Sequence, residues 1–74
     1  MGRLPTCRAR EAIAALRRAG FTLDHHTGSH AILYKIGHPN PVVVPVHAGD
    51  LKPGTLRRII KDAGLDVETF TGLL

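Results

Sequence analysis

The spacing of apolar residues changes twice along this 74-residue chain, and these changes constrain the fold more than any other feature. Apolar residues recur every three or four positions in 9–19 and again in 56–63, which is the spacing of a helix with one buried face. Three short segments between these stretches have strand character, so we predict the order helix, strand, strand, strand, helix. The helical apolar positions are Ala9, Ala12, Ile13, Leu16, Ala19, Leu56, Ile59, Ile60 and Ala63.

Each predicted helix has a single apolar face, so both helices must cover the same face of a three-stranded antiparallel sheet. The predicted fold is an α+β two-layer sandwich, formed as one domain over residues 1–74. A chain of this length buries roughly 60 to 65% of the surface that its unfolded form exposes. Any ligand is therefore expected to bind at the surface.

Glycines mark the expected ends of both helices. Gly20 and Gly64 each follow the last apolar position, where a left-handed residue commonly ends a helix. The first helix begins between Thr6 and Ala9, and Thr6 is the best N-cap candidate although no Glu or Gln follows it three residues later. Asp66 is expected to cap a final short turn. That turn would return three side chains to the core, namely Phe70, Leu73 and Leu74.

The three strand segments differ in how far their burial can be predicted. The first alternates apolar and polar residues. Its expected buried side chains are Phe21, Leu23 and His25. The second, residues 31–36, has apolar side chains on both faces, so its buried face stays open. The third, residues 42–46, contains Pro45, which cannot donate a backbone hydrogen bond and places this strand at a sheet edge.

The single cysteine, Cys7, excludes an intramolecular disulfide and a cysteine-based zinc site. The simplest compartment is a reducing cytoplasm. Neither a signal-peptide apolar region nor a segment long enough to cross a bilayer is found, so we expect no membrane partner. The sequence also indicates no cofactor, since no cluster of residues has the spacing of a metal site.

Basic residues outnumber acidic ones by ten to six, and they are concentrated in two places. Residues 1–20 contain five arginines and one acid, and residues 52–61 contain four basic residues and no acid. Those four are Lys52, Arg57, Arg58 and Lys61. Two basic helix faces suit contacts with successive phosphates, although solvated helix faces often have this composition too. Aromatic residues make up only 4% of the chain, which favours recognition of nucleic-acid backbone and shape over base stacking.

Five histidines are the main chemical signal, because histidine exchanges protons near neutral pH. Neighbours on a strand point to opposite faces, so His25 and His26 are interpreted as structural or solvated. The same holds for His38, which lies in a turn. His30 follows Gly28 and Ser29, where a turn allows close approach and a hydroxyl can orient the ring. His47 ends the third strand and can lie at the same sheet edge, although both positions also suit ordinary polar strand ends.

Several ordered motifs resemble the HicA family of toxins, and together they span nearly the whole chain. They are Leu16-x-x-Ala19-Gly20-Phe21, Gly28-Ser29-His30, Val44-Pro45-Val46-His47, Pro53-Gly54-Thr55-Leu56-Arg57-x-Ile59 and Ala63-Gly64-Leu65. The resemblance implies a fold like a double-stranded RNA-binding domain. It also implies a ribosome-independent mRNA interferase, with His30 as the catalytic residue, inhibited by a HicB-type antitoxin. The first helix departs from the family, which commonly has a Ser-Gly-Lys-like start where this chain has Arg8-Ala9-Arg10.

A ribonuclease that uses no metal needs a base, an acid and cations that stabilise the phosphorane. His30 can be the base or the acid. His47 is the first choice for the complementary acid or base, and the Ser29 hydroxyl or water is the second. The candidate cations, which would also bind RNA, are Lys35, Arg57, Arg58 and Lys61. Two alternatives stay open: a non-catalytic double-stranded RNA-binding module, and a domain whose basic face binds only an acidic protein.

Overall fold

The computed structural model describes residues 3–74 and contains a three-stranded antiparallel sheet with helices packed on one face. The elements in chain order are α1 (Ala9–Arg18), β1 (Thr22–Thr27), β2 (His30–Tyr34), β3 (Val42–Pro45), α2 (Pro53–Asp62) and α3 (Val67–Leu73). The strands lie in the order β1-β2-β3, so β2 is central. The predicted α+β class, the element order and the edge position of the third strand are confirmed. The predicted final turn is a third helix, α3.

One face of the sheet is buried against the helices. The buried strand side chains are Ala31, Leu33, Val42 and Val44. This resolves the face of β2 that the sequence left open, since Ala31 and Leu33 point inward. The predicted helical stripes pack over them: Leu16, Leu56 and Ile59 are almost completely buried. Because these residues share one core, α1, α2 and α3 all lie on the same side of the sheet.

The opposite face has no helix over it, and we call it the open sheet face. The ladder registers assign side chains to it, because residues directly opposite one another share a face. These side chains are Thr22, His25, Thr27, His30, Ile32, Tyr34, Val43 and Pro45. Tyr34 is 46% exposed, although it lies in the central strand.

A β-bulge at Asp24 changes which face of β1 is buried. Leu23 pairs with Leu33, but the next pair is His25 with Ile32. Between these two pairs β1 has one extra residue, Asp24, that has no partner in β2. The extra residue reverses the alternation from that point. The prediction that His25 shares the buried face of Leu23 is therefore wrong. His25 lies on the open sheet face, and His26 takes the other face opposite Ala31.

Both long helices end as predicted. Gly20 has φ +103°, and the Phe21 N–H donates to the carbonyl of Leu16, which is the Schellman arrangement. Helix α1 starts at Ala9, within the predicted range, but Arg8 rather than Thr6 is its N-cap. The side chain of Glu11 reaches back and accepts a hydrogen bond of 2.7 Å from the Arg8 N–H, and this satisfies the donor without a Thr6 cap.

Helix α3 closes one side of the core. As predicted, Asp66 caps it, accepting a 2.7 Å hydrogen bond from the Thr69 N–H. Hydrogen bonding by Thr69, through its side chain first and this N–H second, lowers the pKa of the Asp66 carboxyl. Phe70 is fully buried and Leu73 packs against the core, but Leu74 is 45% exposed because it follows the last helical residue. The prediction that Leu74 returns to the core is therefore wrong.

Candidate functional site

His30 is the first residue of the central strand, so both neighbouring strands fix its backbone. It pairs with Thr27 of β1 and with Pro45 of β3. The Thr27 hydroxyl donates to the carbonyl oxygen of His30 over 3.3 Å. The two-residue connection Gly28-Ser29 brings the chain from β1 directly into this position. The His30 side chain is therefore attached to a rigid backbone and is exposed to solvent.

The position of Pro45 explains how a proline is accepted beside His30. The Val46 N–H donates to the carbonyl of Ser29 over 2.7 Å, so Ser29 and Val46 form a hydrogen-bonded pair. Pairs alternate in an antiparallel ladder, and the His30–Pro45 pair is therefore a non-hydrogen-bonded one. The missing N–H of Pro45 removes no bond between these strands. In such pairs the Cα atoms lie about 4.5 Å apart, which holds β3 close to His30.

The ring of His30 is oriented by its neighbour. Ser29 Oγ lies 3.0 Å from His30 Nδ1. This hydrogen bond fixes one ring nitrogen, and no other described side chain bonds to Nε2. An exposed imidazole with one nitrogen held and the other facing solvent can accept or donate a proton at Nε2.

His47 lies at the same end of the sheet as His30, because it follows Val46, which pairs with Ser29. Its Nδ1 lies 3.0 Å from the carbonyl oxygen of Ala48, in its own loop. Within residues 3–74 no hydrogen bond joins the two rings. The structure thus brings His47 to the correct end but does not couple it to His30.

The other three histidines have distinct surroundings. The ring of His38 packs edge-on against Phe21 at 5.3 Å between centroids, and its Nε2 donates to the carbonyl oxygen of Asp62. His38 therefore supports the fold. His25 Nδ1 lies 2.8 Å from the carboxylate of Asp24 on the bulged strand. No hydrogen bond to the exposed ring of His26 is found among the described residues.

The candidate cations are not close to His30. Lys35 follows it by five residues, one position beyond the end of β2, which is about 16 Å at the usual rise of a strand. Its Nζ lies 5.6 Å from the centre of the Phe21 ring. Arg57, Arg58 and Lys61 are exposed on the solvent side of α2. Since α2 covers the other face of the sheet, these cations and His30 lie in opposite layers.

Two cationic residues that were not among the candidate cations lie at the His30 end. Arg8 and Lys52 are the N-cap residues of α1 and α2. Arg8 pairs with Asp50 in the connection that leaves β3 at this end, so both helices begin there. The sequence did contain a sign that α1 begins at this end. The link between α1 and β1 is short, so α1 must run antiparallel to β1.

Residues 3–74 offer no metal site, and a groove that they form lies away from His30. No group of three or more His, Cys, Asp or Glu side chains is arranged to hold a metal. A shallow groove of about 390 Å³ lies between α2 and α3, in the helical layer and away from His30. It is lined by Arg57, Ile60, Lys61, Leu65, Asp66 and Val67.

A sequence model of the family described as the HicA toxin of bacterial toxin–antitoxin systems matches residues 9–65. The chain belongs to the HicA toxin family. It is thus the toxin of a toxin–antitoxin system, a class that implies an antitoxin partner. The match to the HicA family covers α1 to α2 and stops before α3. No curated protein matches the chain. No helix within residues 3–74 is long and apolar enough to cross a membrane.

Proposed function

We propose that this HicA-family toxin is an mRNA interferase, a metal-independent endoribonuclease in which His30 performs acid/base chemistry in the cytoplasm. The observation that carries the proposal is the Ser29–His30 contact of 3.0 Å at the start of the central strand. It combines a rigid backbone, an oriented ring and an exposed Nε2. These are the properties that a general base requires when the substrate is large and binds at the surface.

The chemistry follows from the structure of RNA. A base removes the proton from a 2′-hydroxyl, the 2′-oxygen attacks the adjacent phosphorus, and the 5′-oxygen leaves with a proton from an acid. His30 takes the first proton through Nε2, and Ser29 holds Nδ1. Lys35, Arg57, Arg58 and Lys61 bind phosphates farther along the RNA, because their positions are too distant for contact with the phosphate at His30.

The experiment is cleavage of a defined transcript by the purified protein in EDTA. We expect cleavage by the parent protein and none by His30→Ala with an unchanged circular-dichroism spectrum. His26→Ala is a matched control, because it removes an exposed histidine from the other face of the same hairpin. Full activity of folded His30→Ala would remove His30 from the mechanism. Activity that is lost only on chelation would instead indicate a metal-dependent reaction.

The proposal includes a HicB-type antitoxin that covers the open sheet face around His30. Within the described strands this face carries no lysine or arginine, and it presents Ile32, Tyr34, Val43 and Pro45. A partly apolar surface without lysine or arginine suits a protein partner. The antitoxin should protect RNA stoichiometrically, and Tyr34→Ala should weaken its binding without slowing cleavage by the free toxin. An inhibited complex with unchanged RNA affinity would contradict masking.

A non-catalytic RNA-binding module is the second candidate. It is favoured by the separation of Arg57, Arg58 and Lys61 from His30, since a clamp for duplex RNA needs only the basic helix face. In that case the parent protein binds RNA in a salt-dependent manner and leaves it intact.

A further inference from the structure

We propose that His25 is the second proton-transfer residue of the site, that it acts as the general acid, and that Asp24 is its positioning residue. This inference rests on the proposed ribonuclease function. It concerns a histidine that the alternation of β1 would have placed on the buried face.

The bulge at Asp24 is the first observation. In a regular strand, consecutive side chains point to opposite faces and cannot bond to each other. Here the carboxylate of Asp24 and Nδ1 of His25 are 2.8 Å apart, and His25 lies opposite Ile32 on the open sheet face. Bulges commonly redirect a side chain beside a functional site. This bulge moves His25 onto the face that carries His30.

The separation of the two histidines is the second observation. His30 pairs with Thr27, and His25 is two residues before Thr27, so the two histidines are diagonal neighbours. Diagonal neighbours in an antiparallel pair are about 7–8 Å apart. From that backbone separation the two side chains are long enough for their ring nitrogens to hydrogen-bond to different oxygens of one phosphate, each over about 2.8 Å. A phosphate can therefore bind between the two rings.

The partners of the two rings assign their roles. His25 has a carboxylate partner, whose charge balances that of an imidazolium, the form of the ring that donates a proton. His30 has a neutral hydroxyl partner, which is compatible with the neutral imidazole that accepts one. Asp24 and Ser29 each contact Nδ1 of their histidine, so Nε2 of both rings is left to contact the RNA.

The step balances without any further reactant. Nε2 of His30 takes the 2′-hydroxyl proton while the bond between the 2′-oxygen and phosphorus forms. The bond between phosphorus and the 5′-oxygen breaks, and Nε2–H of His25 gives its proton to that oxygen. The products are a 2′,3′-cyclic phosphate and a 5′-hydroxyl, and both rings recover their starting protonation from water.

The first test is single-turnover cleavage of a short RNA that contains a site mapped with the parent protein. His25→Ala should lower the rate about 100-fold or more, the range typical of a lost general acid. Its side chain is 56% exposed, so the variant should fold. His26→Ala is the adjacent control on the opposite face and should keep the parent rate. If His25→Ala cleaves at the parent rate while His30→Ala is inactive, this inference is wrong and the proposed function stands. A parent protein that does not cleave RNA would remove both.

The second test replaces the leaving 5′-oxygen with sulfur at the mapped site. A thiolate leaves without a proton, so the substrate no longer needs the acid. His25→Ala should then cleave within about 3-fold of the parent, because the contribution of general acid catalysis is absent. Asp24→Asn should be slow on the oxygen substrate and recover on the sulfur substrate, which a merely structural role would not produce. If His25→Ala is equally slow on both substrates, the assignment of His25 as the acid fails.

Discussion

Nε2 of His38 lies 2.6 Å from the carbonyl oxygen of Asp62, and this contact joins the β2–β3 connection to the last turn of α2. The acceptor is a carbonyl, so Nε2 must carry the proton. The same ring packs edge-on against Phe21. The contact occupies one of the carbonyls that a helix leaves unpaired at its C-terminus.

His38→Ala should lower the free energy of unfolding by about 1–3 kcal/mol, because it removes this hydrogen bond and the aromatic contact together. Urea denaturation measures the change. His38→Gln is the informative companion, since its amide can donate to Asp62 while the ring contact with Phe21 is lost. An unchanged midpoint for His38→Ala would show that the contact contributes nothing to stability.

Phe70→Ala should be the most destabilising of these changes, with a loss of about 3–5 kcal/mol, since it empties a fully buried position. Leu74→Ala, at a residue 45% exposed, is the matched control and should have little effect. Since α3 lies beyond the segment that matches the HicA family, this prediction also tests whether α3 belongs to the same cooperative unit. Separate unfolding transitions for α3 and the sheet would show that it does not.

Cys7 should be a poor nucleophile in the folded protein. It is 1% exposed, and burial, followed by the negative charges of Glu11 and Asp50, raises the pKa of its thiol above 9.0. The native state therefore binds this proton more tightly than the unfolded chain, so stability should fall as pH rises above about 9. Iodoacetamide at pH 8 should label the unfolded chain much faster than the native one. Cys7→Ala should remove this part of the alkaline loss of stability.

Gly28→Ala should leave the fold intact and slow RNA cleavage. The backbone at Gly28 is not left-handed, and an added Cβ would meet no atom within 4 Å, so alanine fits without strain. The methyl group would occupy space next to Ser29 and His30, where the RNA has to approach. Gly37→Ala provides the contrast, because its φ of +83° makes alanine strained there. Parent-like cleavage by Gly28→Ala would show that RNA does not pass close to this turn.

Arg57→Ala with Arg58→Ala should weaken RNA binding similarly for all RNA sequences and flatten its salt dependence. Each lost phosphate contact lowers the slope of log affinity against log salt by roughly 0.7 to 0.9. The titration uses a His30→Ala background so that the RNA survives. Arg18 is left unchanged in this test, since its Nη1 donates to the carbonyl of Leu73 over 2.6 Å and its replacement would also disturb α3. If the variant is folded and keeps the salt dependence of the parent, α2 does not bind the RNA, and α1 becomes the candidate RNA-binding surface.

Features that depend on local sequence were predictable. The apolar stripe of α2 predicted which face of that helix is buried, and Gly20 and Gly64 predicted where the two helices end. Each of these predictions depends only on residues a few positions apart in the sequence. Likewise, the Gly28-Ser29 turn leads into a strand as predicted, although that strand is His30–Tyr34 rather than residues 31–36.

Features that depend on strand pairing were not predictable. The bulge at Asp24 arises because β1 and β2 pair in a register that leaves one residue of β1 without a partner. The alternation of residues within β1 alone does not indicate this bulge. The orientation of His25, and with it half of the candidate site, was hidden for that reason. The Arg8 cap was missed because arginine is not one of the usual N-cap residues, even though Glu11 follows it three residues later.

The opposite placement of His30 and the cations of α2 restricts the shape of any RNA that touches both. The molecule is 17 Å across its shortest axis, so such an RNA must reverse its direction within a few nucleotides as it passes around the end of the sheet. A base-paired helix is too stiff for this path, whereas an unpaired strand or a loop follows it readily. If both surfaces act on one substrate molecule, the architecture itself selects for flexible RNA, before any base is read.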